Sequence, residues 1–355
     1  MANNAPGITV LIATYNRAGV LSETLEALTR VEQTGIDCSI VVIDNNSTDN
    51  TAEVVKEYGT RLPLSYLRET RPGKSRALNK ALRECALKEI VVFTDDDVTP
   101  TPNWFQEIVS SVDKWPGVAV FGGKVEPVWP DNEQPEWALP DWIQAFGFSR
   151  HHYAEGEAFY KPPACPFGPN FWVRRTVLQK VSFFDETMIW GPTPRNRIMG
   201  DETAFLMELQ RRGYEALYYA KAAVYHRILP EACTLPWLRH RAYTHGRGQV
   251  RLLGWHRRNL YLKSKVLWGM VLAADELYAA LRLFGGLFLR DSTRNCNTTV
   301  NAMVRFGQLH ETVNQIVKHF SANQRKSEGR IVQTDAGVSL SGSGEILTVP
   351  YEKID

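Results

Sequence analysis

The 355-residue sequence lacks a run of 18 or more apolar residues, which excludes an ordinary transmembrane helix. Its first residues, MANNAPGITV, contain neither a basic segment nor a long apolar one, so we expect no secretory signal there. The five cysteines are scattered and form no C-x-x-C pair, which argues against a disulfide scaffold and a structural zinc site. A formal net charge of +2 argues against a polyanion binder, so no nucleic-acid partner is expected. Together these absences favour a reduced, cytoplasmic protein.

What the chain does contain is a regular alternation of apolar strands and amphipathic helices over its first hundred residues. Strands are predicted at Gly7–Asn16, Cys38–Ser47, 64–69 and 89–95, and helices at Val20–Val31, 48–58 and Gly73–Ala86. We expect Ser47 or Thr48 to cap the second helix. The alternation predicts an α/β fold with a mainly parallel sheet and helices on both faces. In such a sheet a ligand binds beyond the carboxyl ends of the strands.

Polar residues follow three of these strands. They are the segments Thr14–Arg17, Asp44–Ser47 and Asp95–Asp97. Because the carboxyl ends of parallel strands share one edge of a sheet, we expect the three segments to form a single binding rim.

The segment TDDDVT has three possible chemical interpretations. Asp95 and Asp97 could bind Mg²⁺ or Mn²⁺, which in turn would bridge the oxygens of a diphosphate. The same D-x-D-x-T pattern occurs in haloacid-dehalogenase-like phosphatases, where Asp95 would be the nucleophile and Asp97 the general acid. It could also be a solvated acidic turn. Position in the chain favours the metal, since that phosphatase motif normally ends the first strand and here two strands with polar ends come before it.

The second half of the chain is less regular. Residues Trp129–Pro163 are rich in proline, tryptophan and acids, and we expect a long structured loop. A strand that enters a helix is predicted at Phe167–Leu178. The stretch Gly200–Tyr219 is predicted to contain a helix that is closed by Gly213 as its C′ residue, and a strand is predicted at 222–226.

Seven segments, in order between Ile8 and His226, resemble the motifs of family 2 glycosyltransferases. They are VLIATYNR, VVIDNNSTDNT, GKSRALNKAL, FTDDDVTPTPNW, GPNFWVRR, the pair FDE and GDETAF, and AVYH. The resemblance implies the GT-A fold, a Rossmann-like mixed, mainly parallel sheet. It also implies metal-dependent, inverting transfer of a sugar from a nucleotide-diphosphate donor, with a UDP-sugar favoured, onto a hydroxyl acceptor. A non-catalytic partner that only binds the nucleotide sugar is the alternative.

The resemblance also implies a donor site. Thr14, Tyr15 and Arg17 would frame the base and ribose, with Tyr15 stacking on a pyrimidine. Asp44 would accept a hydrogen bond from the imide N–H of uracil. Lys74 would bind a phosphate. The alternative, nearly as well supported by the sequence, is that Lys74 is an exposed lysine at the start of a helix.

The metal and the sugar have their own implied residues. Asp95 and Asp97 match the two acids of the D-x-D motif, with Asp97 the better candidate for contact with Mn²⁺ or Mg²⁺ and Asp96 lining the donor site between them. Asn170 would bind a sugar hydroxyl, and His226 would contact the metal or the diphosphate. The neighbouring aromatic residues of GPNFWVRR could stack on a sugar ring or belong to the core.

The general base is expected in the pair Asp201–Glu202. Related sequences usually carry Glu-Asp here and use the second acid as base, so position favours Glu202. The reversed order leaves Asp201 a competitor.

We expect three regions: a catalytic domain (1–230), a basic helical region (231–320) and a polar, disordered tail (321–355). Residues Arg239–Arg251 could close over the diphosphate or bind a phosphorylated acceptor. Residues 261–290 could form an amphipathic helix on the inner face of the plasma membrane or pack on the catalytic domain. A saccharide or lipid-linked saccharide acceptor, used in cell-surface polysaccharide assembly, would suit the membrane interpretation.

Overall fold

The computed structural model describes residues 6–180, 184–186, 198–256 and 296–315. The predicted amphipathic segment 261–290 and the predicted tail 321–355 lie outside these residues. The strands are β1 (Ile8–Thr14), β2 (Cys38–Asp44), β3 (Leu64–Arg68), β4 (Ile90–Thr94), β5 (Val98–Pro100), β6 (Val120–Val128), β7 (Glu157–Phe159), β8 (Asn170–Arg174) and β9 (Ala216–Arg227). The helices are α1 (Ala18–Leu28), α2 (Thr51–Tyr58), α3 (Lys74–Glu84), α4 (Trp104–Lys114), α5 (Asp141–Phe148), α6 (Arg175–Leu178), α7 (Asp201–Arg211) and α8 (Leu235–His256). Residues 296–315 are also helical, and we call them the outer helix.

The described strands form one sheet in the order β3-β2-β1-β4-β8-β6-β9-β5, with β7 added along β9. The four strands β3, β2, β1 and β4 are parallel neighbours, as are β6 and β9. Strand β8 runs antiparallel between β4 and β6, and β5 runs antiparallel to β9. The predicted α/β class with a mixed, mainly parallel sheet is confirmed.

Helices cover both faces of the sheet because the central strands are apolar on both sides. Ile8, Val10 and Ile12 of β1 pack with residues of α1, α2 and α4. Leu11 points the other way and packs with residues of α3, α6 and α7. Successive strand residues alternate between faces, so a strand buried on both sides has to be apolar throughout.

A third apolar cluster joins the loop region to the C-terminal helices. Phe148 of α5 packs with Leu238 and Ala242 of α8 and with Cys296 and Val300 of the outer helix. The boundary predicted near residue 230 follows the end of the last strand, and residues on both sides of it share this cluster.

Two local predictions are wrong, and one strand was not predicted. The segment Trp129–Pro163 is not wholly irregular, because it contains α5 and β7. The helix predicted within Gly200–Tyr219 ends at Arg211, and Gly213 is its C′ residue with φ +87°, as predicted; β9 begins at Ala216. Strand β5 lies directly after the acidic triplet and was not predicted. The cap of α2 is Asn50 rather than Ser47 or Thr48, and its side chain makes no capping hydrogen bond.

Candidate active site

A cavity of about 950 Å³ lies beyond the carboxyl ends of β1 and β4. The polar rim supplies one wall, with Thr14, Tyr15 and Arg17 after β1 and the acidic triplet after β4. The start of α7, with Asp201 and Glu202, lies on the same cavity, although the sequence separates it from the rim by more than a hundred residues. Most of the predicted donor residues and both candidate bases therefore line one cavity.

Asp96, the middle acid of the triplet, holds the rim together. Its carboxylate accepts hydrogen bonds from Thr14 Oγ1 at 2.7 Å and Arg17 Nη1 at 2.5 Å, and its backbone carbonyl accepts one from Thr24 Oγ1 at 2.6 Å. Burial, opposed by Arg17 and reinforced by the charge of Asp97, raises the pKa of Asp96 to about 6. With its oxygens engaged by neighbouring residues, Asp96 fixes the ends of β1 and β4 relative to each other.

Asp97 faces the basic side chains of Arg17 and His226 and keeps one oxygen without a hydrogen bond among the described residues. Its Oδ2 lies 3.1 Å from Arg17 Nη1, and its Oδ1 lies 3.3 Å from His226 Nε2. Burial opposes its ionisation, but the His226 and Arg17 charges outweigh burial and lower the pKa of Asp97. Burial likewise opposes the charge on His226, yet Asp97 raises its pKa. The buried Oδ1 has no hydrogen-bond partner among the described residues.

A buried carboxylate oxygen that accepts no hydrogen bond among the described residues and lies beside an imidazole nitrogen fits a divalent cation. Carboxylate oxygens suit Mg²⁺ and Mn²⁺, and such ions are commonly bound through one or two protein carboxylates plus substrate phosphates and water. No group of three or more His, Cys, Asp or Glu residues in the described part of the chain forms a complete metal site. Asp97 and His226 would therefore supply only part of the coordination, and His226 would have to lose its proton to bind.

Lys74 connects the rim to the acid pair. Its Nζ lies 2.5 Å from Asp95 Oδ1 and 2.6 Å from Glu202 Oε1. Burial opposes the charge, but Asp95, Glu202 and Asp201 together raise the pKa of Lys74 well above its usual value. Asp95 is thus engaged with a lysine rather than turned towards Asp97 and His226.

The position of Lys74 depends on the loop that precedes α3. Gly73 has φ +133°, and its N–H donates to Asn45 Oδ1 at 2.6 Å. Asn45 Nδ2 in turn donates to Arg71 O at 2.9 Å. Asn45 was part of the predicted rim but had no predicted role, and the run Asp44-Asn45-Asn46 was the only signal in the sequence.

The acid pair begins α7. Gly200 precedes it with φ +109°, a conformation that favours glycine, and Ser75 Oγ donates to Asp201 Oδ2 at 2.8 Å. Burial raises the pKa of Asp201 to about 7, helped by the charge of Glu202 and a hydrogen bond between the two carboxyls. Burial also opposes ionisation of Glu202, but Lys74 and the bond from Asp201 lower its pKa to about 2. At neutral pH Glu202 is therefore the ionised member of the pair, and Asp201 is the one whose proton is retained to higher pH.

Two predicted ligand residues do not line the cavity. Asp44 is 2% exposed and accepts hydrogen bonds from Ser47 N at 2.7 Å and Tyr66 Oη at 2.5 Å. Asn170 is fully buried. Its Nδ2 donates to the carbonyls of Lys124 and Ala222, and its Oδ1 accepts from Trp104 Nε1. Asn170 therefore joins β8 to β6, β9 and α4. Phe171 and Trp172 after it are fully buried core residues.

Helix α8 forms the wall opposite the rim. Trp237, Arg241, His245 and Gln249, four residues apart, all line the cavity. Arg241 Nε donates to Phe146 O at 2.9 Å, its guanidinium lies over the Trp237 ring, and burial lowers the pKa of His245 to about 4. The basic segment Arg239–Arg251 is thus a helix that presents one face to the cavity.

Residues 9–182 match the family model described as "Glycosyl transferase family 2". The resemblance to family 2 glycosyltransferases that the sequence motifs predicted is confirmed over this part of the chain.

Two curated relatives show how the similarity is distributed. The chain is 32% identical to chondroitin synthase of Escherichia coli over 117 residues, which is 33% of this chain and 17% of that protein. It is 21% identical to glucosyl-dolichyl phosphate glucuronosyltransferase of Haloferax volcanii over 243 residues, which is 67% of this chain and 75% of that protein. Several relatives are thus much longer than the part this chain matches.

The fold has a counterpart among solved structures. The mannosyltransferase PcManGT of Pyrobaculum calidifontis, solved in complex with GDP-Man and Mn²⁺, superposes with a TM-score of 0.57 at 20% identity. The match covers 87% of this chain and 88% of that one. The predicted GT-A fold is confirmed. Within the described residues, no helix is long and apolar enough to cross a membrane.

Proposed function

We propose that the protein transfers a sugar from a nucleotide-diphosphate donor to a hydroxyl of a saccharide or lipid-linked saccharide acceptor, with inversion at the anomeric carbon and with a divalent metal. The observation that carries the proposal is the bridge made by Lys74. One ammonium group lies between Asp95 of the rim and Glu202 of the acid pair, at 2.5 and 2.6 Å. The donor-site residue Asp95 and the candidate base Glu202 therefore contact the same lysine side chain.

Asp97 and His226 would hold the metal, which would be Mn²⁺ or Mg²⁺. The buried Oδ1 of Asp97, which lies beside His226 but accepts no hydrogen bond among the described residues, supports this assignment, and the Mn²⁺ in the complex of the mannosyltransferase agrees with it. When bound, such a metal offsets the negative charge that develops on the departing nucleoside diphosphate. Asp95 remains a candidate for a further ligand, reached when Lys74 turns to a phosphate.

Glu202 is the proposed general base. It is ionised at neutral pH, as a base must be, but in the free protein Lys74 stabilises its charge. A donor phosphate that attracts Lys74 would leave Glu202 beside Asp201 without its cation, and its proton affinity would rise. Glu202 would then accept the proton of the acceptor hydroxyl as that oxygen attacks the anomeric carbon opposite the leaving diphosphate.

The donor base and the acceptor are proposed from local chemistry. Tyr15, 42% exposed at the rim, can stack on a base. Selection of uracil by Asp44 would require its bond from Tyr66 to open. The wall of α8, with an uncharged histidine, a tryptophan and an amide, suits the mixed apolar and hydroxyl surface of a saccharide. A lipid-linked acceptor is supported by the glucuronosyltransferase relative, whose name specifies glucosyl-dolichyl phosphate.

Phosphatase chemistry has less support. It would require Asp95 to act as a nucleophile, and in the structure Asp95 forms an ion pair with Lys74. The family match also covers the acidic triplet. A phosphatase would release inorganic phosphate from phosphomonoesters and form a covalent phosphate on Asp95, and we expect neither.

The test is a donor screen with Mn²⁺. UDP-, GDP- and dTDP-sugars should be assayed for binding by calorimetry and for slow hydrolysis by release of the nucleoside diphosphate. We expect at least one donor to bind in a metal-dependent way. A protein that binds no nucleotide sugar under these conditions is not a glycosyltransferase of the proposed type, while metal-dependent binding without any turnover would favour the non-catalytic partner.

A further inference from the structure

Helix α8 touches the backbone immediately before the acid pair. A Cβ atom built on Gly248 would lie only 1.9 Å from the carbonyl oxygen of Met199, whereas ordinary contacts begin at 3.4 Å. Four residues earlier in α8, Thr244 O accepts a long hydrogen bond from Met199 N at 3.5 Å. The Met199 peptide therefore rests across a single turn of α8, and only a glycine at 248 permits that approach.

Displacement of Met199 would be passed on to the acids. Gly200 follows it at the start of α7, and Gly200 O accepts the hydrogen bond from Ala204 N at 2.8 Å that closes the first helical turn. Asp201 and Glu202 lie inside that turn. A shift of the 199–200 backbone thus moves both carboxyls relative to Lys74 and the rim.

The outer helix holds α8 on its other side. A Cβ on Gly246 would lie 2.0 Å from Val304 O, and a Cβ on Gly307 would lie 2.0 Å from Tyr243 O, so the two backbones already touch at reciprocal points. The fully buried Glu311 adds ion pairs to α8. Because the backbone of α8 already touches the outer helix, α8 cannot move in that direction. A side chain added at position 248 therefore has to displace the Met199 segment.

We propose that Gly248 is a positioning residue for the acid pair, so that the close approach of α8 to Met199 sets the place of Glu202 in the cleft. The inference rests on the proposed function, in which Glu202 acts on the acceptor. Gly248 itself touches no reacting group. Its role is to let the acceptor-side helix and the start of α7 approach closely.

The test compares Gly248→Ala with Gly246→Ala. Both place a methyl group on the same helix at a comparably short distance from a backbone oxygen, but Gly246→Ala pushes on the outer helix instead of Met199. Gly248→Ala forces a separation of about 1 Å or more, and a misplacement of about 1 Å can cost roughly 10²-fold in rate. We expect kcat to fall by about that factor with the donor Kd within twofold. Gly246→Ala should lose less than about tenfold.

Hydrogen exchange gives a readout that needs no turnover. Amides in a peptide covering residues 200–206 should exchange faster in Gly248→Ala than in the wild type, and Gly246→Ala should leave them unchanged. A failure of the proposed function, with no donor bound by the wild type, would leave this comparison intact.

Three results would overturn the inference. The first is a Gly248→Ala protein whose kcat and hydrogen exchange equal those of the wild type. The second is an equal loss of kcat, or an equal change in hydrogen exchange, in Gly248→Ala and Gly246→Ala. The third is a Gly248→Ala protein that has lost donor binding or its cooperative thermal transition, since Gly248 would then be needed for folding rather than for positioning.

Discussion

Replacing the two acids of the pair one at a time should change stability in opposite directions. Burial raises the pKa of Asp201 from 3.8 to about 7, which corresponds to a free energy on the order of 4 kcal/mol. A carboxyl with a raised native pKa contributes stability that is fully present below its unfolded pKa and lost as pH rises through the native value. Asp201→Asn, which cannot ionise, should therefore unfold at a higher urea concentration than the wild type at pH 8 and at a similar one near pH 4.

Ionisation of Glu202 has the opposite effect on the free energy of unfolding. Its pKa is lowered to about 2, chiefly through Lys74, so its charge stabilises the native state above its unfolded pKa, and that stability is lost as pH falls towards the native value. Glu202→Gln removes one of the two ion pairs that Lys74 forms with the described residues and should lower the free energy of unfolding at pH 8. Urea unfolding of both variants at the two pH values tests the electrostatic account. A change of the same sign in both variants at pH 8 would refute it.

Measurements of turnover distinguish the catalytic roles of Asp201 and Glu202. Removing a general base typically costs about 10²–10⁴ in rate. We expect Glu202→Gln to lose that much while donor affinity stays nearly unchanged, because the base acts on the acceptor. Asp201→Asn should do less damage, through acceptor positioning. If Asp201→Asn is inactive and Glu202→Gln keeps near-normal turnover, the two roles are exchanged.

Three further predictions address the rest of the molecule. Lys74→Met should weaken donor binding by about tenfold in calorimetry, the loss of one charge-assisted bond, and an unchanged Kd would remove Lys74 from the phosphate site. Glu311→Ala should lower the free energy of unfolding by about 3–5 kcal/mol in urea, because the charges of Arg247 and Arg251 lose their shared buried carboxylate; an unchanged value would contradict this. If residues 261–290 contact a membrane, the protein should co-sediment with anionic vesicles in a salt-sensitive way and a chain ending at residue 260 should not. Binding that survives the truncation would place the contact elsewhere, and no binding would favour packing.

The first half of the fold was predictable because its signal is local. In β1 and β4 a continuous apolar run can only be buried on both faces, and the helices between such runs follow from their spacing. Helix α5 and strand β7 were missed because they are short and lie among prolines and tryptophans. Their stability comes from α8, β9 and the outer helix, far away in the chain.

The site was predictable in composition but not in its contacts. Asn170 has the residue type of a ligand, yet its partners on α4, β6 and β9 satisfy its whole amide, and no local pattern specifies them. Lys74 could be a surface lysine by sequence alone, and the acids that surround it lie up to 128 positions away. The orientation of α8 was equally unpredictable, because the basic composition of a helix does not indicate which of its faces lines the cavity.

The most direct test of the central claim is donor turnover as a function of the metal and of Asp97. The wild type should release nucleoside diphosphate from its donor sugar with Mn²⁺, stop in EDTA and recover when Mn²⁺ is restored. Asp97→Asn should be inactive and fail to bind donor in a metal-dependent way, while Asp113→Asn, an exposed acid on α4, should behave as the wild type. Full turnover in EDTA, or an active Asp97→Asn enzyme, would contradict a metal-dependent transferase built on the end of β4.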